Sequence, residues 1–196
     1  QRLRLAVRAI ANALADTGQP SMLIGGVAAI IHGVPRVTRD VDATIAGSAF
    51  DFEEFLGLAQ RHHIEPRIPD AVLFARQNLV FLLRHVPSQV DIDLSLAWMA
   101  FEIEAISAAE SVSLFGTHVR LVRPEDLVIY KLIAWRPQDR QDVERLLALH
   151  GSRMDCARLR RLSNDVAMAL DDRQRHEDFL ELLRRIRIPI SSSART

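Results

Sequence analysis

Asp40 and Asp42 stand two residues apart in Thr38–Ile45, a segment that alternates polar and apolar residues as a half-buried strand does. Residues i and i+2 of a strand share a face with Cα atoms roughly 6–7 Å apart, so both carboxylates can reach one ion. A hard cation such as Mg²⁺ takes carboxylate oxygens, one or two from the protein, and fills its octahedron with water and substrate phosphates. Fourteen residues before Asp40, Gly26 completes a Gly25-Gly26 pair that follows the apolar run Ser21–Ile24 and opens a short helix over Val27–His32. Bare glycine amides at a helix N-terminus can receive a phosphate. Alone, the glycines read as a tight turn and the acids as a solvated strand face. Together, at this spacing, they favour metal-assisted chemistry on a phosphate.

The elements that must position these groups follow from periodicity and turn chemistry. Arg4–Ala15 carries Leu5, Val7, Ile10 and Leu14 at helical spacing and ends at Asp16-Thr17-Gly18. Phe50–His62 is helical behind Ser48 as a cap, and the β-rich runs Ala71–Arg76, Asn78–His85 and Gln89–Leu96 suggest a meander. Phe101–Glu110 reads as helix, and Val112–Leu114 with His118–Val122 reads as a hairpin around Phe115-Gly116-Thr117. Pro124–Trp135 and Pro137–Leu149 both start with proline followed by acids, good first-turn chemistry. Two further helices, about 153–170 and 172–187, precede a polar tail expected to be disordered. The expected class is mixed α+β: a small mixed sheet flanked by helices with a C-terminal helical extension. The expected division is a core over 1–122, a helical region over 123–190 completing the cleft, and a tail over 191–196.

The stretch Gly25-Gly26-Val-Ala-Ala-Ile-Ile-His-Gly-Val-Pro-Arg36-Val-Thr38-Arg39-Asp40-Val-Asp42 resembles the signature of the DNA polymerase beta-like nucleotidyltransferase superfamily. Its Arg-x-Thr-x-Asp-x-Asp spelling, with the later Arg-Pro-Glu-Asp-Leu and Lys-Leu-Ile-Ala-Trp-Arg-Pro-Gln-Asp-Arg-Gln-Asp-Val segments, is similar to the AbiEii-type group common among toxins of toxin–antitoxin pairs. The likeness spans roughly residues 20–150. It implies an NTP donor, Mg²⁺ or Mn²⁺, and transfer of a nucleoside monophosphate with pyrophosphate leaving. It implies as acceptor a tRNA 3′ end or another hydroxyl-bearing molecule, and a cognate antitoxin protein as a possible partner.

The resemblance also implies a third carboxylate on an adjacent strand. The Val-Asp-hydrophobic pattern favours Asp91, with Asp93 as the alternative or as a further metal ligand. Lys131 falls where such enzymes carry a lysine for the triphosphate. It is the only lysine among 25 basic residues, which suggests that a guanidinium would not serve there. An aspartate after that lysine is assigned to Asp142, with Asp139 open; either could instead favour its helix N-terminus. Arg36 and Arg39 could contact phosphate or pair with the acids.

Composition bounds these readings. The formal charge is zero, so the chain as a whole gives no electrostatic argument for nucleic acid. A single cysteine, Cys156, excludes an internal disulfide and suits a reducing, cytoplasmic compartment. No segment is apolar enough to span a membrane, and Gln1–Ala15 is unlike a signal peptide. His62-His63 has no nearby cysteine or histidine to complete a zinc set, His32 reads as a packing or capping residue, Cys156 reads as inert, and the C-terminal arginines alternate with acids as a solvated face does. Two readings compete with the active enzyme: a non-catalytic nucleotide- or partner-binding protein on the same fold, and an antitoxin-like enzyme modifying a protein.

Overall fold

The structure is a computed structural model that describes residues 1–47 and 50–186. Its contacts divide into two units, Gln1–Ala28 with Arg36–Arg123, and Ala29–Pro35 with the helical segment that begins at Pro124.

In the first unit, helix α1 (Arg2–Asp16) leads into β1 (Ser21–Ile24). It buries Val7, Ile10 and Leu14 and ends where Thr17 Oγ1 donates to the Leu14 carbonyl at 2.6 Å, just before Gly18 turns left-handed. Helix α2 (Gly25–Ile31) follows β1 directly, then β2 (Asp40–Ala46), α3 (Phe52–Arg61), β3 (Ile64–Pro66), α4 (Ala71–Asn78), β4 (Val80–His85), β5 (Val90–Ala97) and α5 (Ala100–Ala108). The hairpin of β6 (Glu110–Leu114) and β7 (Thr117–Leu121) completes the unit. Its turn residues Phe115 and Gly116 both have positive φ, the primed geometry that matches strand twist.

Among the described residues seven strands form one sheet in the order β3-β4-β5-β2-β1-β7-β6. The β5–β2 and β1–β7 pairs are parallel and the rest antiparallel, so the sheet is mixed. Its inner face carries Val41, Ala43, Ile45, Phe81, Leu83, Ile92 and Leu94, all fully buried, with Phe55 of α3 against them. Because side chains alternate, the opposite face of β2 and β5 receives Asp40, Asp42, Asp91 and Asp93.

Three expectations need adjustment. Ala71–Arg76, read as a strand, is the helix α4. It holds good helix formers, buries Ala71 and Ala75 one turn apart, and is bounded by left-handed residues at Asp70 and Leu79; a short apolar run does not by itself distinguish strand from helix. The edge strand β3 was not expected; it is three residues long and ends in proline, which an edge tolerates. The cap placed at Ser48 lies outside the described residues, and α3 is capped by Asp51, which accepts from the Glu54 amide at 2.9 Å. The tail over 191–196 also lies outside them.

The second unit contains α6 (Pro124–Ala134), α7 (Pro137–His150), α8 (Cys156–Ala169) and α9 (Arg173–Arg185). Leu127, Val128, Leu132, Val143, Leu146, Leu159, Val166, Phe179 and Leu183 make its core. Asp155 and Asp172 cap α8 and α9, and the fully buried Asp126 of α6 is met by Arg158 of α8 at 2.6 Å. Arg145 and His150 of α7 bond the carbonyls of Pro35 and His32 at 3.0 and 2.8 Å, fixing the segment that follows α2. No helix among the described residues is long and apolar enough to cross a membrane.

Candidate active site

Strands β2 and β5 run parallel with Asp40 beside Asp91 and Asp42 beside Asp93, so four carboxylates occupy one half-exposed face. Each has an identifiable donor. Thr38 Oγ1 donates to Asp40 Oδ1 at 2.7 Å, and the Gly26 amide donates to Asp42 Oδ2 at 3.3 Å. These bonds explain the glycines more directly than phosphate wrapping does. A Cβ at Gly25 would collide with the Asp42 carboxylate, and one at Gly26 would collide with Thr38 Oγ1. Gly25 also has φ +65°, which an L side chain adopts only with strain. The turn lets the acidic strand approach.

Gly25→Ala is therefore expected to cost about 1–2 kcal/mol from backbone strain and, by displacing Asp42, to lower activity more than about tenfold. Gly18→Ala is the control, since Gly18 has φ +64° but nothing within 4 Å of the added carbon. It should lose comparable stability in urea and keep its activity. Equal activity losses in the two variants would refute the role given to Gly25.

Two arginines that the sequence reading did not single out sit on the β5 pair. Arg84, cross-strand from Asp91 on β4, places Nε 2.6 Å from Asp91 Oδ1. Arg67, just past β3, places Nη1 3.3 Å from Asp91 Oδ2 and Nη2 2.7 Å from Asp93 Oδ1. The Arg84 hydrogen bond, with the charges of both guanidinium groups, holds the Asp91 carboxyl below its ordinary value against partial burial. Burial raises Asp93 above its ordinary value, the charges of Asp40 and Asp91 add to this, and Arg67 opposes it. Arg39 is exposed, and the Arg36 guanidinium lies against Gly26.

Among the described residues no three His, Cys, Asp or Glu side chains converge as a finished metal cage. The donor set still fits a hard cation. All donors are carboxylate oxygens, and Asp40 with Asp42 supplies the two that Mg²⁺ ordinarily takes beside phosphate and water.

In the second unit, Lys131 Nζ lies 3.1 Å from both Asp139 Oδ1 and Asp142 Oδ2. All three are buried, Lys131 being 5% exposed and each aspartate 1%. Asp139 Oδ2 also accepts from the Arg136 amide at 3.2 Å and from Arg136 Nε at 2.7 Å, which caps α7. Burial works against its charge, but the bonds from Arg136 and Lys131 win and hold its carboxyl below the ordinary value. The structure thus brings both aspartates onto the lysine.

Residues 3–178 match the family described as nucleotidyl transferase of unknown function, DUF2204. The chain belongs to this family. As a nucleotidyltransferase it is an enzyme that uses an NTP donor, and its fold agrees with solved structures. The antibiotic-resistance factor ANT(2'')-Ia in solution is 17% identical over 88% of this chain and 95% of its own, with a TM-score of 0.58. A crystal structure of ANT(2'')-Ia with adenylyl-2''-tobramycin gives 17% identity over 87% and 99%, with a TM-score of 0.53. A protein of H. pylori described as a nucleotidyltransferase gives 18% over 93% and 81%, with a TM-score of 0.50. A search of curated proteins finds no match.

The nucleotidyltransferase signature was legible in sequence because its residues are consecutive. Arg84 and Arg67 were not, because only the register of β4 against β5 and the path after β3 bring them to Asp91 and Asp93. The available signal was an arginine that follows the apolar run Val80–Leu83 within one strand, beside a strand with two acids.

Proposed function

We propose that the chain transfers a nucleoside monophosphate from an NTP to an acceptor hydroxyl with the help of Mg²⁺ or Mn²⁺. The observation that carries this is the Asp40–Asp42 pair on a half-exposed sheet face, each carboxylate oriented by its own donor, in a chain of the nucleotidyltransferase family. Asp93 is the third carboxylate of this reading. Both oxygens of Asp91 are engaged by arginines, whereas Arg67 bonds only Oδ1 of Asp93.

In the reaction the acceptor oxygen bonds to the α-phosphorus, the bond from that phosphorus to the β-phosphate bridging oxygen breaks, and pyrophosphate leaves. When bound, the ions would lower the pKa of the acceptor hydroxyl and carry triphosphate charge. Asp40 and Asp42 would hold the ions, and Asp93 can receive the hydroxyl proton. Lys131 binds two carboxylates at once, and since an ammonium has three N–H groups, its charge is available to a phosphate oxygen as well as to the pair.

The acceptor has two readings. Resemblance to the AbiEii-type toxins favours a tRNA 3′ end. The similarity to ANT(2'')-Ia, solved with adenylylated tobramycin, favours a small polyhydroxylated amine. Purified protein is to be incubated with Mg²⁺ and each labelled NTP, together with total tRNA, tobramycin or cell extract. Transfer of label to one of these, abolished by EDTA, is the expected result and names the acceptor class. NTP binding without transfer to any of them would favour a nucleotide-binding protein instead.

A further inference from the structure

We infer that Arg67 is a positioning residue that fixes Asp93 for the ion. This rests on the metal-dependent reading above. A guanidinium presents its N–H groups in a rigid planar fork, and Arg67 spends one edge of it on two carboxylates that are i and i+2 on the same strand. Nη2 holds Asp93 Oδ1 at 2.7 Å, and Nη1 reaches Asp91 Oδ2 at 3.3 Å. Arg84 takes the other oxygen of Asp91 at 2.6 Å, so Asp91 is clamped on both sides. Asp91 thereby serves as the anchor that sets where Arg67 lies, and Arg67 in turn sets the rotation of Asp93.

The backbone supports the same assignment. The Arg67 amide donates to the Leu82 carbonyl at 3.1 Å, and Leu82 is the residue paired with Asp93 across β4 and β5. The root of the arginine side chain is therefore tied to the same rung of the sheet as the carboxylate it holds. With Thr38 on Asp40 and the Gly26 amide on Asp42, every acid of the proposed ion site has at least one donor that orients it, the arrangement by which outer groups set metal ligands.

The test is Mn²⁺ binding to the full chain without nucleotide, followed by electron paramagnetic resonance, with circular dichroism to confirm folding. Arg67→Lys keeps the charge and loses the fork; Arg67→Met loses both. Fixing by the fork predicts that each weakens Mn²⁺ binding by about tenfold or more. Asp91→Asn, which loosens Arg67, should weaken it in the same direction but less than Asp93→Asn, which should lose it as Asp40→Asn does. Wild-type affinity in Arg67→Lys, or tighter binding in Arg67→Met, would mean that Arg67 is only a competing cation and would overturn the inference. So would a larger loss in Asp91→Asn than in Asp93→Asn. If wild type itself binds no Mn²⁺, the metal-dependent reading falls together with this one; if Asp40→Asn loses Mn²⁺ while Arg67→Lys keeps it, only the role of Arg67 falls.

Discussion

Replacing Asp40 and Asp42 together by asparagine is expected to lower nucleotidyl transfer at least about 10³-fold while leaving the fold intact. The size follows from the task given to the pair: metal-borne stabilisation of transition-state charge is worth several kcal/mol, and about 1.4 kcal/mol corresponds to a factor of ten. The intact fold follows from the local bonds. Thr38 Oγ1 and the Gly26 amide are both donors, and an asparagine carbonyl accepts from each of them as a carboxylate does. The four acids of this face stand close to one another on β2 and β5, so removing two negative charges relieves their mutual repulsion. Single-turnover transfer of labelled nucleotide, measured beside thermal unfolding, checks both halves. Activity within tenfold of wild type would remove Asp40 and Asp42 from the chemistry. Loss of both activity and melting temperature would show instead that the charges build the strand pair.

The contrast between what sequence spacing reveals and what it hides has a physical origin. Asp40, Asp42, Gly25 and Gly26 are legible because their relation is set within one strand–turn–helix–strand segment. The glycines were read as phosphate ligands, whereas the close approach of Asp42 and Thr38 accounts for the absence of a Cβ at both positions. That distinction requires the third dimension, since either use calls for the same residues. The hairpin at Phe115-Gly116 and the capped helices of the second unit were equally legible, being local. Segment Ala71–Arg76 failed for the complementary reason: its apolar run suits strand or helix, and the packing of Ala71 and Ala75 decides. The pattern around Val90 favoured Asp91, and the proposal of Asp93 instead rests on arginines seven and 26 residues away, which spacing along the chain does not bring together.

The lysine that composition singled out leads to the other large effect. Lys131→Met is expected to destabilise the chain by about 3–5 kcal/mol, because it leaves two buried carboxylates facing each other without the ammonium between them. Arg136 still holds Asp139 at 2.7 Å, which offsets part of that cost. Adding Asp139→Asn and Asp142→Asn removes the two buried charges and should restore most of that stability.

The pH dependence separates the proteins further. In wild type the folded Asp139 carboxyl lies below its ordinary value, so its contribution is present above the unfolded value near about 3.9 and is lost as pH falls through the folded one. In Lys131→Met, Asp139 loses one of the bonds that hold its carboxyl down, so the gap to wild type should narrow as pH falls from 7 toward 4. Urea midpoints at several pH values measure this directly, and a gap independent of pH would show that lost packing, not charge, carries the cost. The restored triple variant, read against Asp139→Asn/Asp142→Asn with Lys131 intact, then isolates the second role of the lysine. If Lys131 serves only the core, the two variants transfer nucleotide equally. If its remaining N–H meets the triphosphate, the triple variant folds, keeps its Mn²⁺ affinity, and still shows a raised KM for NTP and a slowed transfer step, a combination that loss of stability cannot produce.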